Sequence, residues 1–285
     1  VCLANILAGN LDASEFNLEN VVVVAPQGGD FTNPADAADW VTAQSPSATH
    51  RFVILVAPGE YQLTRAVWLP SYTTLRGHGR QNTVIIRAGG APNPPYGAIV
   101  VLNSTTGSAI EDLRLRKDSG GSTNSAAVYV FSSTVRIENC DVSLSSTVTY
   151  GIAIYSLGTS YIDINGSYIF AEGNDAPADL ANSVAGVYLE ALSAYHGAEV
   201  RLLYSEILTS NMNGTAEVHK YAYGVVLGVD ESNESLHARY SFIWPRARLT
   251  SDAYYLYRDE DGTAWLAYCY LLTQTNFDDG ITRIM

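Results

Sequence analysis

Five short segments in the second half of this 285-residue chain can be laid over one another. They are AVYVF (127 to 131), GIAIY (151 to 155), GVYLE (186 to 190), GVVLG (224 to 228) and AYYLY (253 to 257), each opening on Gly or Ala and then alternating. A segment this short cannot bury its apolar face alone, so copies must stack on their neighbours, and a period of two makes the stacking unit a strand. A second block follows each one: IENCDV from Ile137, INGSYI from Ile164, LLYSEI from Leu202, ARYSFI from Ala238 and AYCYLL from Ala267. The repeat therefore carries at least two strands per turn, and the chain reads as a β-solenoid of at least six turns.

A solenoid is one continuous core of any length, and no Pro/Ser-rich linker or charge run divides the chain. The expected organisation is an N-terminal extension over residues 1 to 20, available as an exchanged strand, and one solenoid domain over 21 to 285. Hydrophobic content of 47% with 16% charged residues argues against disorder. A net charge of −13 argues against nucleic acid as a partner. No apolar run is long enough to span a membrane as a helix.

The second blocks place Cys140, Ser167, Ser205, Ser241 and Cys269 in one column of small inward residues. The two cysteines then lie four turns apart, roughly 19 Å at the spacing of paired strands, too far for a disulfide. Cys2 stands outside the repeat, as a free thiol or a link to another chain. Near the N-terminus a strand is expected at Val21 to Val24. Asn33 then caps a helix that has Pro34 at its first position and an apolar stripe of Ala37, Trp40 and Val41, suited to covering one end of the solenoid core. Two insertions, 171 to 185 and 209 to 223, follow the second block and should emerge at the same corner of adjacent turns. The C-terminal ITRIM offers no lid, which leaves strand edges that could recruit another chain.

The stretches VVVVAPQGGDFTNPADAADWV and RFVILVAPGEYQLTRAVWLPSYTTLRGHGRQNTVI, with the turns Val53 to Tyr61 and Gly77 to Ile85, resemble the N-terminal part of right-handed parallel β-helix proteins of the pectin-lyase-like superfamily. The resemblance implies an all-β, single-stranded right-handed parallel β-helix with an N-terminal capping helix. It says little of function, since the superfamily holds lyases, hydrolases, esterases, epimerases, tailspikes and secreted repeat proteins. The PGEY at 58 to 61 is similar to pectin methylesterases, but the later blocks that carry their two catalytic carboxylates have no match. Gly77-His78-Gly79 matches a polygalacturonase motif in letters and not in context, so His78 reads as a turn residue. A lyase would need carboxylates on adjacent turns to bind Ca²⁺ and an Arg as base. Arg136 and Arg201, with Asp141, Asp163, Glu199 and Glu206 near them, are the available groups, and they reproduce no family motif. The acidic turn Asp259 to Gly262 lacks the further ligands of a Ca²⁺ loop. His50, His78, His196, His219 and His237 show no metal-ligand spacing.

The leading expectation is a secreted or cell-surface structural β-helix without catalytic activity, self-associating into filaments or a surface layer, with no cofactor and no metal. The alternatives are a polysaccharide lyase or hydrolase, the only reading in which Ca²⁺ enters, and a glycan-binding adhesin. For the adhesin, the alternation places Tyr129, Tyr188 and Tyr255 in one outward aromatic column. Sequons at Asn103, Asn165, Asn213 and Asn233 are candidate glycosylation sites.

Overall fold

The computed structural model describes residues 20–91, 95–119, 125–146, 151–174, 184–190, 198–213, 222–227, 235–247, 253–258 and 263–271. The chain climbs through three parallel sheets. Sheet A has nine strands, from Val21–Val24 to Thr263–Ala267; sheet B has eight, from Gly59–Leu63 to Tyr270–Leu271; sheet C has seven, from Val67–Trp68 to Ala253–Arg258. From Phe52–Val56 onward each coil visits A, B and C in turn, and each strand pairs in parallel with its counterparts one coil away. This is a right-handed parallel β-helix, in keeping with the handedness of parallel crossovers. Each second block of the sequence is two strands, not one: IENCDV spans the end of Thr134–Glu138 in sheet A, a sharp corner, and the start of Asp141–Ser146 in sheet B.

Alternation explains the core. Ile54, Leu75, Ile110, Ile137, Ile164, Leu202, Ala238 and Leu266 stack in one sheet A column, all buried. At the corner from A to B the expected inward column is present. The Ser167 hydroxyl accepts from the Cys140 amide at 3.1 Å and donates to the Asn165 carbonyl at 3.0 Å, and Ser205 repeats the pattern one coil on, at 3.3 Å and 2.9 Å. Each small polar side chain thus satisfies backbone groups that the corner leaves unpaired. Burial pushes the Cys140 thiol up to about 12, which keeps it protonated.

The N-terminal helix spans Pro34–Ala43, and the Asn33 side chain accepts from the Ala35 amide at 2.8 Å. Ala37 and Val41 are buried, while Trp40 lies at the rim against Phe31 and Phe52. Among the described residues no helix is long and apolar enough to cross a membrane. Asn20 apart, the 1 to 20 extension lies outside the described residues, as do most of both insertions, Cys2 and the 259 to 262 turn.

Sheet C corrects the register expected for the repeat. Gly151 sits opposite Ser125 rather than Ala127, Val184 rather than Gly186 faces Gly151, and Ala253 faces Ala222 rather than Gly224. Each slip is two residues, so inward and outward faces are conserved even where the partner is wrong. The alternation also breaks: Ala127 and Val128 both join the main core, while Ala126 and Tyr129 lie in a second apolar cluster on the outer side of sheet C. Gly186 occupies this break because a Cβ there would stand 2.4 Å from Ile207 Cγ2 and 2.8 Å from the Gly224 carbonyl oxygen. Gly186→Ala should therefore lower stability by about 1–3 kcal/mol, read from chemical denaturation.

A buried lysine yields a second expectation. Lys117 is fully enclosed, donates to the Gly89 carbonyl, and lies beside Arg87, which donates to the Ala98 carbonyl. Burial first, and Arg87 second, lower the Lys117 amine to about 8. Between that value and the ordinary lysine range the unfolded chain holds one more proton than the folded one, so stability rises with pH. Denaturant titration should show the unfolding free energy climbing between pH 8 and 10 in the native protein by an amount on the order of 1–3 kcal/mol, with this rise lost in Lys117→Met.

Candidate functional site

The corner between sheets A and B requires one residue per coil in the left-handed region. Asp112 (φ 54°), Asn139 (51°) and Gly166 (58°) fill it in three successive coils, residue types that tolerate it. In the next three coils the same position holds Tyr204 (49°), Tyr240 (50°) and Tyr268 (54°). A bulky aromatic residue in this region is a conformational outlier, and such strain concentrates at functional positions. The three rings stack along the solenoid, Tyr204 on Tyr240 at 5.2 Å and 5°, Tyr240 on Tyr268 at 5.1 Å and 11°. They are 63%, 41% and 71% exposed.

A shallow groove of about 490 Å³ runs beside them on the outer face of sheet A. Its floor includes Leu203, Arg239 and Ala267, each immediately preceding one of the tyrosines. Its far side is the column Asp163, Arg201, His237 and Trp265, one residue per coil in direct register. His237 and Trp265 stack at 6.3 Å and 5°. Six large hydrophobic side chains are exposed among the described residues; of these Trp265 lines the groove, and Tyr204, Tyr240 and Tyr268 each directly follow a residue that lines it.

The charges of the groove are largely engaged with one another. Arg201 donates through Nε to Glu199 Oε1 at 2.7 Å, and its guanidinium lies 5.0 Å from the centre of the Tyr161 ring; the Glu199 hydrogen bond holds Arg201 above its ordinary range. His237 Nε2 is 3.9 Å from the same carboxylate oxygen. The Arg239 guanidinium sits 4.9 Å over the Tyr240 ring and donates to its phenol oxygen at 3.3 Å. This arrangement can stack on sugars, exchange hydrogen bonds and hold a ligand in one orientation along the coil axis.

The residues named from the sequence fare differently. Tyr129 and Tyr188 do point away from the main core, but they are buried, not an exposed column: Tyr155 stacks between them at 5.7 Å and 5.4 Å, and Tyr96 packs edge-on. Tyr155 donates to Glu190, and burial raises its phenol far above the ordinary range. The Tyr255 side chain lies outside the described residues, and in register it is Tyr257 that continues from Val226 and Tyr188. The acid and base candidates divide between two sheets, with Arg136, Asp163, Glu199 and Arg201 on sheet A, Asp141 and Glu206 on sheet B. Arg136 is tied to Glu111, a nearly buried carboxylate shared with Arg76, and Asp141 to Arg114 at 2.7 Å. Among the described residues no three His, Cys, Asp or Glu side chains gather as a metal site. His78 is an exposed turn residue, its amide donating to the Thr83 hydroxyl at 3.0 Å. Asn103 is exposed and Asn165 half-buried; Asn233 and the Asn213 side chain lie outside the described residues.

The tyrosine row was present in the sequence alignment as the third letter of LLYSEI and ARYSFI and the second of AYCYLL, opposite Gly in INGSYI and Asn in IENCDV. The signal was an aromatic residue standing where its counterparts are Asn and Gly.

No family model matches the chain, and no curated relative matches it. Solved structures do. The pectin methylesterase of Aspergillus niger in deglycosylated form aligns over 92% of this chain and 82% of its own at 15% identity, with a TM-score of 0.55. Escherichia coli YbhC aligns over 88% and 71% at 16% identity and TM-score 0.51. The pectin methylesterase PemA of Erwinia chrysanthemi aligns over 92% and 91% at 14% identity and TM-score 0.50. At this identity the likeness establishes the pectin-lyase-like fold.

The strained corner has a measurable consequence. Asn relieves a left-handed cost of roughly 1–2 kcal/mol and loses ring stacking of about 0.5–1.5 kcal/mol per pair. Tyr240→Asn removes two such pairs and should therefore change unfolding stability by no more than about 2 kcal/mol in denaturant titration, the two effects largely offsetting each other.

Proposed function

We propose that this protein, a right-handed parallel β-helix of the pectin-lyase-like fold, binds polysaccharide in the groove between the Tyr204, Tyr240 and Tyr268 stack and the column that ends in Trp265. One observation carries the reading: of the exposed large aromatic side chains Trp265 lines the groove, and Tyr204, Tyr240 and Tyr268 stand directly after lining residues in a backbone conformation that disfavours them. Aromatic groups with one apolar and one polar end suit ligands that are themselves apolar on ring faces and polar at their edges. A net charge of −13 disfavours a polyanionic ligand. The likeness to proteins named as pectin methylesterases accords with a carbohydrate ligand. Such a ligand belongs to an extracellular or cell-surface setting.

A second reading places chemistry in the same groove. Glu199 is oriented by Arg201 beside His237, so a carboxylate and an imidazole face one another across adjacent coils. That pair is the nearest approach to an acid and base in the groove, and it would serve hydrolysis or elimination on a bound glycan. The self-associating structural role expected from the sequence rests on residues 1 to 24 and the last coil. Residues 1–19 and 272–285 are outside the described ones, and the groove bears no feature specific to it.

Affinity electrophoresis through gels containing a panel of polysaccharides tests the binding reading. The native protein should be retarded by at least one of them, and the variant with Asn at positions 204, 240 and 268 should migrate freely while unfolding at a similar Tm. Equal retardation of both proteins would remove the groove from consideration. Release of reducing ends or unsaturated products by native protein, abolished in Glu199→Gln with retardation intact, would select the enzymatic reading.

A further inference from the structure

Ring faces are the usual sugar platform, yet here the faces within the row, both of Tyr240 and one each of Tyr204 and Tyr268, are occupied by each other. With interplanar angles of 5° and 11°, Tyr204, Tyr240 and Tyr268 cover one another face to face. What the row offers to solvent along its length is ring edges and phenol oxygens, one per coil. The column inside the adjoining groove repeats at the same step, as Arg201, His237 and Trp265 are in direct register on consecutive coils. His237 and Trp265 also lie parallel to one another, at 5°. The surface is therefore ruled: a tyrosine row at the corner and a column inside the adjoining groove, both advancing one coil at a time along the solenoid axis.

A ligand exploits such a surface fully only if its own repeat equals the coil step. The phenol-bearing rings are 5.1 to 5.2 Å apart. This is close to the advance per sugar in an extended ribbon of β-1,4-linked hexoses or pentoses with equatorial linkages. Such a ribbon presents a hydroxyl-bearing edge on each side at every unit, so each unit would meet one phenol of the row and one group of the column. An α-1,4-linked glucan winds into a helix and loses register with both after one or two units.

Charge narrows the choice further. The groove contains Asp163, and Arg201 is already neutralised by Glu199 at 2.7 Å. Arg239 packs over the Tyr240 ring and donates to its phenol, and it keeps its positive charge. Among the described lining residues Arg239 is a cation without a carboxylate partner, so a uronate on every coil would not meet such a cation on every coil and would approach a chain of net charge −13.

Resting on the polysaccharide-binding reading above, we propose that the ligand is a neutral, extended β-1,4-linked polysaccharide lying parallel to the solenoid axis, with one sugar unit per coil. Recognition is by the row of phenol hydroxyls, and the ring stack serves to hold that row straight. The three coils that carry Tyr204, Tyr240 and Tyr268 define three consecutive subsites.

Calorimetric titration with cello-, manno- and xylo-oligosaccharides of increasing length, beside malto-oligosaccharides and oligogalacturonates, tests this. Affinity for at least one β-1,4 series should rise stepwise to the trimer and then level off. The variant carrying Tyr204→Phe, Tyr240→Phe and Tyr268→Phe preserves the rings, the stack and the fold, and should lose affinity by about fivefold per hydroxyl removed. Tyr268→Phe alone should end the rise one unit earlier. If malto-oligosaccharides or oligogalacturonates bind as tightly, and that binding is lost with Asn at all three positions, the one-unit-per-coil assignment is overturned while the groove stands. Undiminished binding by the Phe variant also overturns it, since the hydroxyl row would then do nothing. Binding unaffected by the Asn substitutions, or no binding by any series or polymer, overturns the groove reading as well.

Discussion

Everything in this molecule depends on the pairing of each coil's backbone with the coils above and below. Parallel ladders fix neighbouring coils a strand spacing apart, so any residue type recurring at one position of the coil becomes a continuous column in space. Inward columns of Ile, Leu and Val form the core. The inward Ser and Cys column at one corner satisfies backbone groups that a tight turn would otherwise leave unpaired. Outward columns inherit the same regularity, and a binding surface on such a scaffold is periodic without further design.

The two tyrosine stacks show how position on the coil decides what an aromatic column does. Tyr129, Tyr155 and Tyr188 stand on the outer side of sheet C and are buried, with the Tyr155 phenol donating to Glu190. They act as a second apolar core. Tyr204, Tyr240 and Tyr268 stand at a corner and remain exposed to solvent. Stacking distances are similar in the two rows, 5.4 to 5.7 Å and 5.1 to 5.2 Å, so the stack itself does not distinguish structure from function. The distinction lies in exposure: Tyr129, Tyr155 and Tyr188 are buried, whereas the corner tyrosines stay open to solvent at positions that Asp, Asn and Gly fill in neighbouring coils.

The polar groups of sheet A follow the same logic. Upstream, Glu111 is held between Arg76 and Arg136, a closed arrangement with its carboxylate almost fully covered. Downstream, the corresponding face opens, and Asp163, Arg201 and His237 line a groove instead. A buried carboxylate between two guanidiniums is a structural clamp, since removing either partner leaves a charge without solvent. The more exposed trio leaves room for a ligand to complete its hydrogen bonds.

The sequence by itself determined the solenoid, the capping helix at Asn33 and Pro34, and the column from Cys140 to Cys269, because each rests on a local rule: alternation, capping chemistry, or a small residue after a tight corner. It misplaced three of the sheet C pairings by two residues, because a period-two pattern of apolar residues looks the same after a slip of two. It took Tyr129 and Tyr188 as exposed, because alternation tells which side of a sheet a residue faces and not what lies over that side. The groove was decided only by the tertiary structure. Tyr204, Tyr240 and Tyr268 are 36 and 28 residues apart in the chain, and only the stacking of coils of unequal length brings their rings to 5.2 and 5.1 Å.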